Sequence, residues 1–202
     1  IAEYYKKKGV RTIVIPTIVD MREYEDATHA RTERITFVYA GSPRRKDCII
    51  NAIYALEKLS TEERNRIQFH LFGASEKDLL AVGLTSDVIN NLGDSFVVHG
   101  AIPYADVKQQ IANADYTILL RHNTVNANAG FSTKVGESMA CGTPVIANLT
   151  SDMGKYLQDG KTGIVCKNET VAECLDAYRK ALALETERYY YMRDSCKQTA
   201  NI

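Results

Sequence analysis

The chain predicts a doubly wound α/β domain built on a parallel sheet, and three observations predict it. Short apolar runs of strand length alternate with longer segments whose apolar residues recur at helical spacing. Strands separated by helices call for right-handed crossovers and therefore parallel pairing. Gly41, Gly73, Gly100 and Arg121 each lie just past an apolar run, so they should gather on the carboxyl edge of the sheet, where such folds bind ligands.

The elements follow in order. Ile1–Ile15 reads as a helix and then a strand at Thr12–Ile15. Pro16–Asp20 and the polar stretch Met21–Arg34 read as a linker, so the compact unit is expected from Ile35 to the end. Its strands are Ile35–Ala40, Ile67–Phe72, Phe96–Val98, Tyr116–Leu120, Pro144–Ala147 and Gly163–Cys166. Its helices are Asp47–Leu59, Ser75–Val82, Ser86–Leu92, Tyr104–Ala112, Thr133–Ala140, Asp152–Gln158, Val171–Leu184 and Thr186–Thr199. Helical spacing is clearest in Cys48, Ile49, Ala52, Ile53, Leu56 and Leu59, and returns in Val107, Ile111 and Ala114. The plan is Rossmann-like.

Composition narrows the classes. Apolar residues make up 45% and charged residues 25% of the 202, the proportions of an ordinary globular domain able to bury a substantial core. Lys+Arg and Asp+Glu balance at 25 each, so no overall field recruits nucleic acid or an anionic membrane. The five cysteines (48, 141, 166, 174 and 196) form no CxxC pair and no His/Cys ligand spacing. That argues against structural zinc and for reduced thiols in a cytosolic setting. No apolar run approaches 18 residues, so no spanning helix is expected. The start IAEYYKKKG, without methionine, reads as a cut inside a longer protein.

The densest chemistry lies in Ala127–Ala147, ANAGFSTKVGESMACGTPVIA. Gly130, Phe131, Ser132 and Thr133 form a turn that frees backbone amides ahead of a helix, an anion cradle. Lys134 adds a cation. Glu137 sits about one turn into the helix, where a carboxylate can accept from both vicinal hydroxyls of a ribose; a surface glutamate on an amphipathic helix is the plain alternative. Gly142 and Pro144 end the helix. Earlier, Gly41-Ser42-Pro43-Arg44-Arg45-Lys46-Asp47 joins a strand to a helix. Gly41 permits close backbone approach, and Arg45 and Lys46 can neutralise a diphosphate, although solvated cations on a connecting loop fit equally. The loop is neither GxGxxG nor GxxxxGK[ST], so neither nucleotide fingerprint applies. Ile102, after His99-Gly100, can cover a nucleobase while main-chain groups pair with its edge. Arg121 points a cation at the ligand edge. His29, His70 and His99 read as structural, and His122 as a solvent-exposed loop residue rather than a base. Together a phosphate cradle and a hydroxyl acceptor indicate a nucleotide-sugar site.

In their order along the chain, VYAGSPRRKD, FHLFG, VVHGAIPYADVKQQIANADYTILL, GFSTKVGESMACGTPVIAN and SDMGKYLQDGKTGIV resemble the C-terminal, donor-binding half of a GT-B glycosyltransferase. The similarity is to the family-four retaining enzymes, the glycosyl transferases group 1. It covers roughly Ile35–Asn201, and IPTIVD resembles the segment joining the N-terminal domain to this one. The resemblance implies a nucleoside-diphosphate sugar as substrate, no metal or other cofactor, and a missing N-terminal domain that holds the acceptor. It also implies a cytoplasmic parent enzyme, at most peripheral to the inner face of the membrane, of which this piece alone binds donor and catalyses little. Residue by residue, Lys46, with Arg45 behind it, resembles the basic group on the donor diphosphate. Gly130, Phe131, Ser132 and Thr133 resemble the loop that contacts phosphate and sugar. Ile102 resembles the residue lining the base, and Glu137 the second glutamate of E-x7-E, which binds the ribose.

Two departures stand out. The first glutamate of that motif would fall at Ala129, and Ser42 stands where many relatives carry arginine. The GF-x-TK-x-x-E pattern around Lys134 resembles a subgroup of capsule and lipopolysaccharide assembly enzymes, in which the lysine takes over part of the catalytic role by favouring the leaving phosphate. The alternatives are a degenerate nucleotide-sugar binding module, in which Ala129 has removed catalysis, and another GT-B enzyme such as an epimerase or phosphorylase. A phosphorylase would need a pyridoxal-binding lysine whose context is not found here.

Overall fold

The computed structural model of the chain describes residues 2–13, 19–24, 29–43 and 47–201. In chain order the elements are α1 (Ala2–Lys7), β1 (Ile35–Ala40), α2 (Ile49–Glu57), α3 (Thr61–Asn65), β2 (Ile67–Phe72), α4 (Glu76–Ala81), α5 (Ser86–Leu92), β3 (Phe96–Gly100), α6 (Tyr104–Asn113), β4 (Tyr116–Leu119), α7 (Val125–Asn128), α8 (Thr133–Ala140), β5 (Val145–Asn148), β6 (Gly163–Cys166), α9 (Val171–Ala183) and α10 (Thr186–Ala200). The six strands form one parallel sheet in the order β3-β2-β1-β4-β5-β6. This is the expected α/β, Rossmann-like plan.

Alternation along the strands divides the core between two faces. Phe37, Tyr39, Phe69, Leu71, Tyr116 and Ile118 point to one face and meet Ile49, Ile53 and Leu56 of α2 and Tyr178 of α9. Val38 and Phe72 point to the other, where they meet Ile111 of α6, while Leu119, Val145 and Ala147 meet Val135 and Met139 of α8. The end of α8 is built as its sequence predicts. Gly142 takes φ +70° and donates to Met139 O at 2.9 Å, while Thr143 N donates to Ser138 O at 2.8 Å. That doubled bond closes a Schellman cap. α10 lies across this face and brings in Arg193, only 6% exposed. Its guanidinium donates to Ala112 O and Ala114 O at the end of α6 and to Cys141 O at the end of α8. A cation thus satisfies the orphan carbonyls of two helices at once.

Several expectations need correction. Thr12 and Ile13 lie in no strand, and the Thr12 hydroxyl donates to Ala2 O instead; Val14–Ile18 lie outside the described residues. The helix expected over Asp152–Gln158 is a single 3-10 turn, Met153–Lys155. Thr162 ends it, accepting from Gln158 N and donating to Tyr156 O at 2.9 Å each. β3 runs two residues beyond Val98, and α3 and α7 were not foreseen. The polar stretch ahead of Ile35 makes contacts of its own. Tyr24 is buried against Val38, Phe72 and Ile111. His29 Nε2 lies 3.0 Å from the buried Asp115 carboxylate, which also accepts from Thr36 N at 2.8 Å. In the final helix Tyr189 belongs to the core, while Tyr190 and Tyr191 are exposed.

His70 and His99 form a structural pair across β2 and β3, with 2.8 Å between Nδ1 and Nε2 and the His99 ring stacked on Phe72. Burial first, and the neighbouring His99 second, lower the His70 pKa from 6.5 to about 4. The unfolded chain therefore binds more protons between those values, so stability is full above pH 6.5 and falls as pH drops toward 4. Urea midpoints should decline over that window in the parent, and the decline should be shallower in His70→Gln.

Candidate functional site

The sheet order reverses between β1 and β4, which run outward in opposite directions through β2–β3 and β5–β6. A crevice opens at the carboxyl ends of such neighbouring strands, and ligands bind there. Cys48 N donates to Leu120 O at 2.8 Å, and Asp47 forms a bridge with Arg121, tying the two strand-end loops together. The glycines gather here as expected. Gly41 N donates to Phe72 O and Gly73 N to Gly100 O. Gly73 has φ +93°, and a Cβ there would lie 3.0 Å from the Gly41 backbone. A Cβ on Gly41 would strike the Lys134 ammonium. A side chain at 41 would push that cation aside, and the φ of +153° there favours glycine.

Two adjoining clefts occupy this edge. The first, about 380 Å³, is lined by Gly41, Ser42, Asp47, Arg121, Asn126, Gly130, Phe131, Ser132, Thr133 and Lys134. The second, about 340 Å³, has an apolar floor that includes Val38, Phe72 and Ile102, with Tyr104 and Glu137 on its rim. Gly41, Thr133 and Lys134 border both. Each volume falls within the range of small-molecule sites.

Arg121 is 7% exposed and held from every side. Its backbone exchanges hydrogen bonds with the Asn148 amide at 2.9 and 2.7 Å. Its guanidinium donates to Asp47 Oδ1 at 3.3 Å and to Ser132 Oγ at 3.1 Å. Lys134 Nζ donates to Asp47 Oδ2 at 3.2 Å and lies 4.6 Å from the centre of the Tyr39 ring. The Tyr39 hydroxyl sits 3.0 Å from Asp47 Oδ2. Burial, and then the Asp47 charge, raise the Tyr39 pKa and keep it a donor. One buried carboxylate thus organises two cations and a phenol. The Ser132 side chain, turned to Arg121, does not cap α8, and the start of that helix borders the polar cleft, the end of a helix that favours anions. In the second cleft Tyr104 donates to Glu137 Oε1 at 2.9 Å, and burial raises the Tyr104 pKa with help from that bond.

The expected site residues Gly41, Ser42, Arg121, Gly130, Phe131, Ser132, Thr133 and Lys134 all border the polar cleft, and Ile102 and Glu137 border the apolar one. Arg45 and Lys46 lie outside the described residues. His122 is not merely solvated, because its Nδ1 lies 3.0 Å from Glu169 Oε1. The sequence reading missed Asp47, Tyr39, Asn148 and Tyr104. Asp47 had a signal, an acid directly after Arg44-Arg45-Lys46 where a helix begins. Tyr39 and Asn148 sit inside strands and gave none. Among the described residues, no helix is long and apolar enough to cross a membrane.

Comparison with known proteins identifies the family and the fold. The model of the family described as glycosyl transferases group 1 matches residues 20–200. A D-inositol 3-phosphate glycosyltransferase of Geodermatophilus obscurus is 25% identical over 198 residues, covering 91% of this chain and 43% of that protein. Sucrose-phosphate synthase from Thermosynechococcus elongatus superposes with TM-score 0.78 at 19% identity, over 98% of this chain and 51% of that one. Anabaena Alr3699/HepE in complex with UDP and glucose gives 0.76 at 16% identity, over 98% and 55%. The chain thus spans about half the length of these relatives.

Proposed function

The chain belongs to the glycosyl transferases group 1 family, and on that footing we propose that it is the donor-binding half of a retaining glycosyltransferase. The substrate is a nucleoside-diphosphate sugar. The acceptor, a glycan or lipid-linked saccharide of the surface-polysaccharide kind, sits on an N-terminal domain of the parent enzyme, which works in the cytoplasm or at the inner membrane face. One observation carries this reading. Lys134 and Glu137 lie three residues apart on α8, hence on one face, and border adjoining clefts at the sheet's switch point. That spacing suits a diphosphate next to a ribose. A neighbour of the same fold was crystallised with UDP and glucose, which supports a sugar nucleotide as ligand.

In this reading the diphosphate lies in the polar cleft, on the first amides of α8. Lys134 turns from Asp47 to the phosphate oxygens, while Asp47 keeps Arg121 in place. As the bond between the sugar's anomeric carbon and the diphosphate breaks, Lys134 and the amides offset the charge growing on the leaving oxygen. No divalent ion is needed at that centre. Glu137 accepts from the ribose hydroxyls, and the base rests on the apolar floor beside Ile102. Arg45 and Lys46, directly ahead of Asp47 in the sequence, supply further positive charge. Ala129, exposed on the cleft-side loop, favours a second reading as a nucleotide-sugar binding module without turnover. Transfer activity in the full-length parent excludes that reading.

A thermal-shift screen against UDP-, GDP-, ADP- and TDP-sugars tests donor binding. A ligand at a hundred times its Kd adds about 2.7 kcal/mol, or roughly 5–11 °C in a domain of this size. One nucleotide class should produce that rise. Flat traces with all four would refute a donor site.

A further inference from the structure

We propose that Cys48, His122 and Glu169 form a binding site for one thiophilic divalent cation of the zinc class, beside the donor clefts and outside the reacting centre. The Sγ, ring-nitrogen and carboxylate-oxygen atoms of these residues all lie within 4.8 Å of one another. The residues are far apart in the chain, so no spacing motif announces them. The fold joins them because each follows a strand at the same carboxyl edge: Cys48 precedes α2 after β1, His122 follows β4, and Glu169 follows β6.

The backbone holds all three in place. Cys48 N donates to Leu120 O at 2.8 Å, two residues before His122. Asn51 Nδ2 donates to Glu169 O at 2.7 Å. His122 Nδ1 stands 3.0 Å from Glu169 Oε1, and tetrahedral zinc needs about 3.3 Å between two such ligand atoms. A small opening of that pair admits the ion. Thiolate, imidazole and carboxylate make a donor set suited to zinc and carry two negative charges to balance it. Cys48 is buried, whereas the His122 side chain is 52% exposed. The ion therefore has an entry path from solvent and a fourth position open to water. On binding, the Cys48 thiol loses its proton to solvent and the metal–sulfur bond forms.

Cobalt titration of the reduced chain tests the site directly. One equivalent of Co²⁺ should produce a sulfur-to-cobalt charge-transfer band that Zn²⁺ removes. Cys48→Ala should abolish the band, and Glu169→Gln should weaken cobalt binding at least tenfold. His122 is half-exposed, so His122→Ala leaves the core untouched; it should lose the band with circular dichroism unchanged. Absence of a band in the parent overturns the site, and so does a band that survives in Cys48→Ala, since it would belong to another cysteine. These readouts do not depend on whether a sugar nucleotide binds.

Discussion

Replacing Glu137 by alanine should weaken nucleoside-diphosphate binding by about thirtyfold to a thousandfold, or roughly 2–4 kcal/mol. Hydrogen bonds to a charged group are worth about 1.5–3 kcal/mol each, and a carboxylate facing a ribose takes two. Tyr104 already donates to Oε1, which fixes the carboxylate before ligand arrives and limits the ordering cost on binding. Glu137→Gln keeps the size and part of the hydrogen bonding but removes the charge, so it should fall between parent and alanine. Tyr104→Phe removes only the positioning bond and should cost less than tenfold. Titration calorimetry with UDP and GDP checks the series. Equal affinity in parent and Glu137→Ala would remove Glu137 from the site.

Arg193→Ala should cost about 3 kcal/mol or more in folding stability, a fall of roughly 6–12 °C in Tm. Its guanidinium donates to carbonyls at the ends of both α6 and α8. It also lies 3.1 Å from the Tyr189 hydroxyl. Truncation strands several buried acceptors at about 1–3 kcal/mol apiece, offset in part by water entering the space. Arg193→Lys keeps the charge but not the planar fork, so it should recover only part of the loss. Urea unfolding with an unchanged m-value is the check. A loss under about 0.5 kcal/mol would show that the two helix ends do not depend on this residue.

How much of this was legible in the sequence depends on whether local chemistry or tertiary pairing decides an element. β1, β2 and β6 begin and end where their apolar runs do, as do α5 and α8. In β1, β2, α5 and α8 the pattern and a terminating glycine (41, 73, 93 and 142) act together. α3, TEERN, has no apolar period, yet Ser60 and Glu63 form a capping box that holds it. The S-x-x-E signature was present in the sequence. α7 is one turn of VNAN started by the Thr124 cap, too short for periodicity to reveal. The Met153–Lys155 turn stops short of the expected helix because Thr162, from beyond the turn, bonds the Gln158 N and Tyr156 O groups. The site divides the same way. Loop residues after strand ends could be placed from order alone, because a parallel sheet sends every such loop to one edge. Asp47 announced its place but not its partners Arg121 and Lys134, which lie far along the chain, and no local pattern encodes the roles of Tyr39 and Arg193.

The most direct measurement is a crystal structure of this chain with UDP or GDP bound. The expected result places the diphosphate in the cleft beside Gly41, with Lys134 Nζ and the first amides of α8 at about 2.7–3.1 Å from its oxygens and the ribose hydroxyls on Glu137. A nucleotide bound elsewhere, or one in this crevice that touches neither Lys134 nor Glu137, would contradict it.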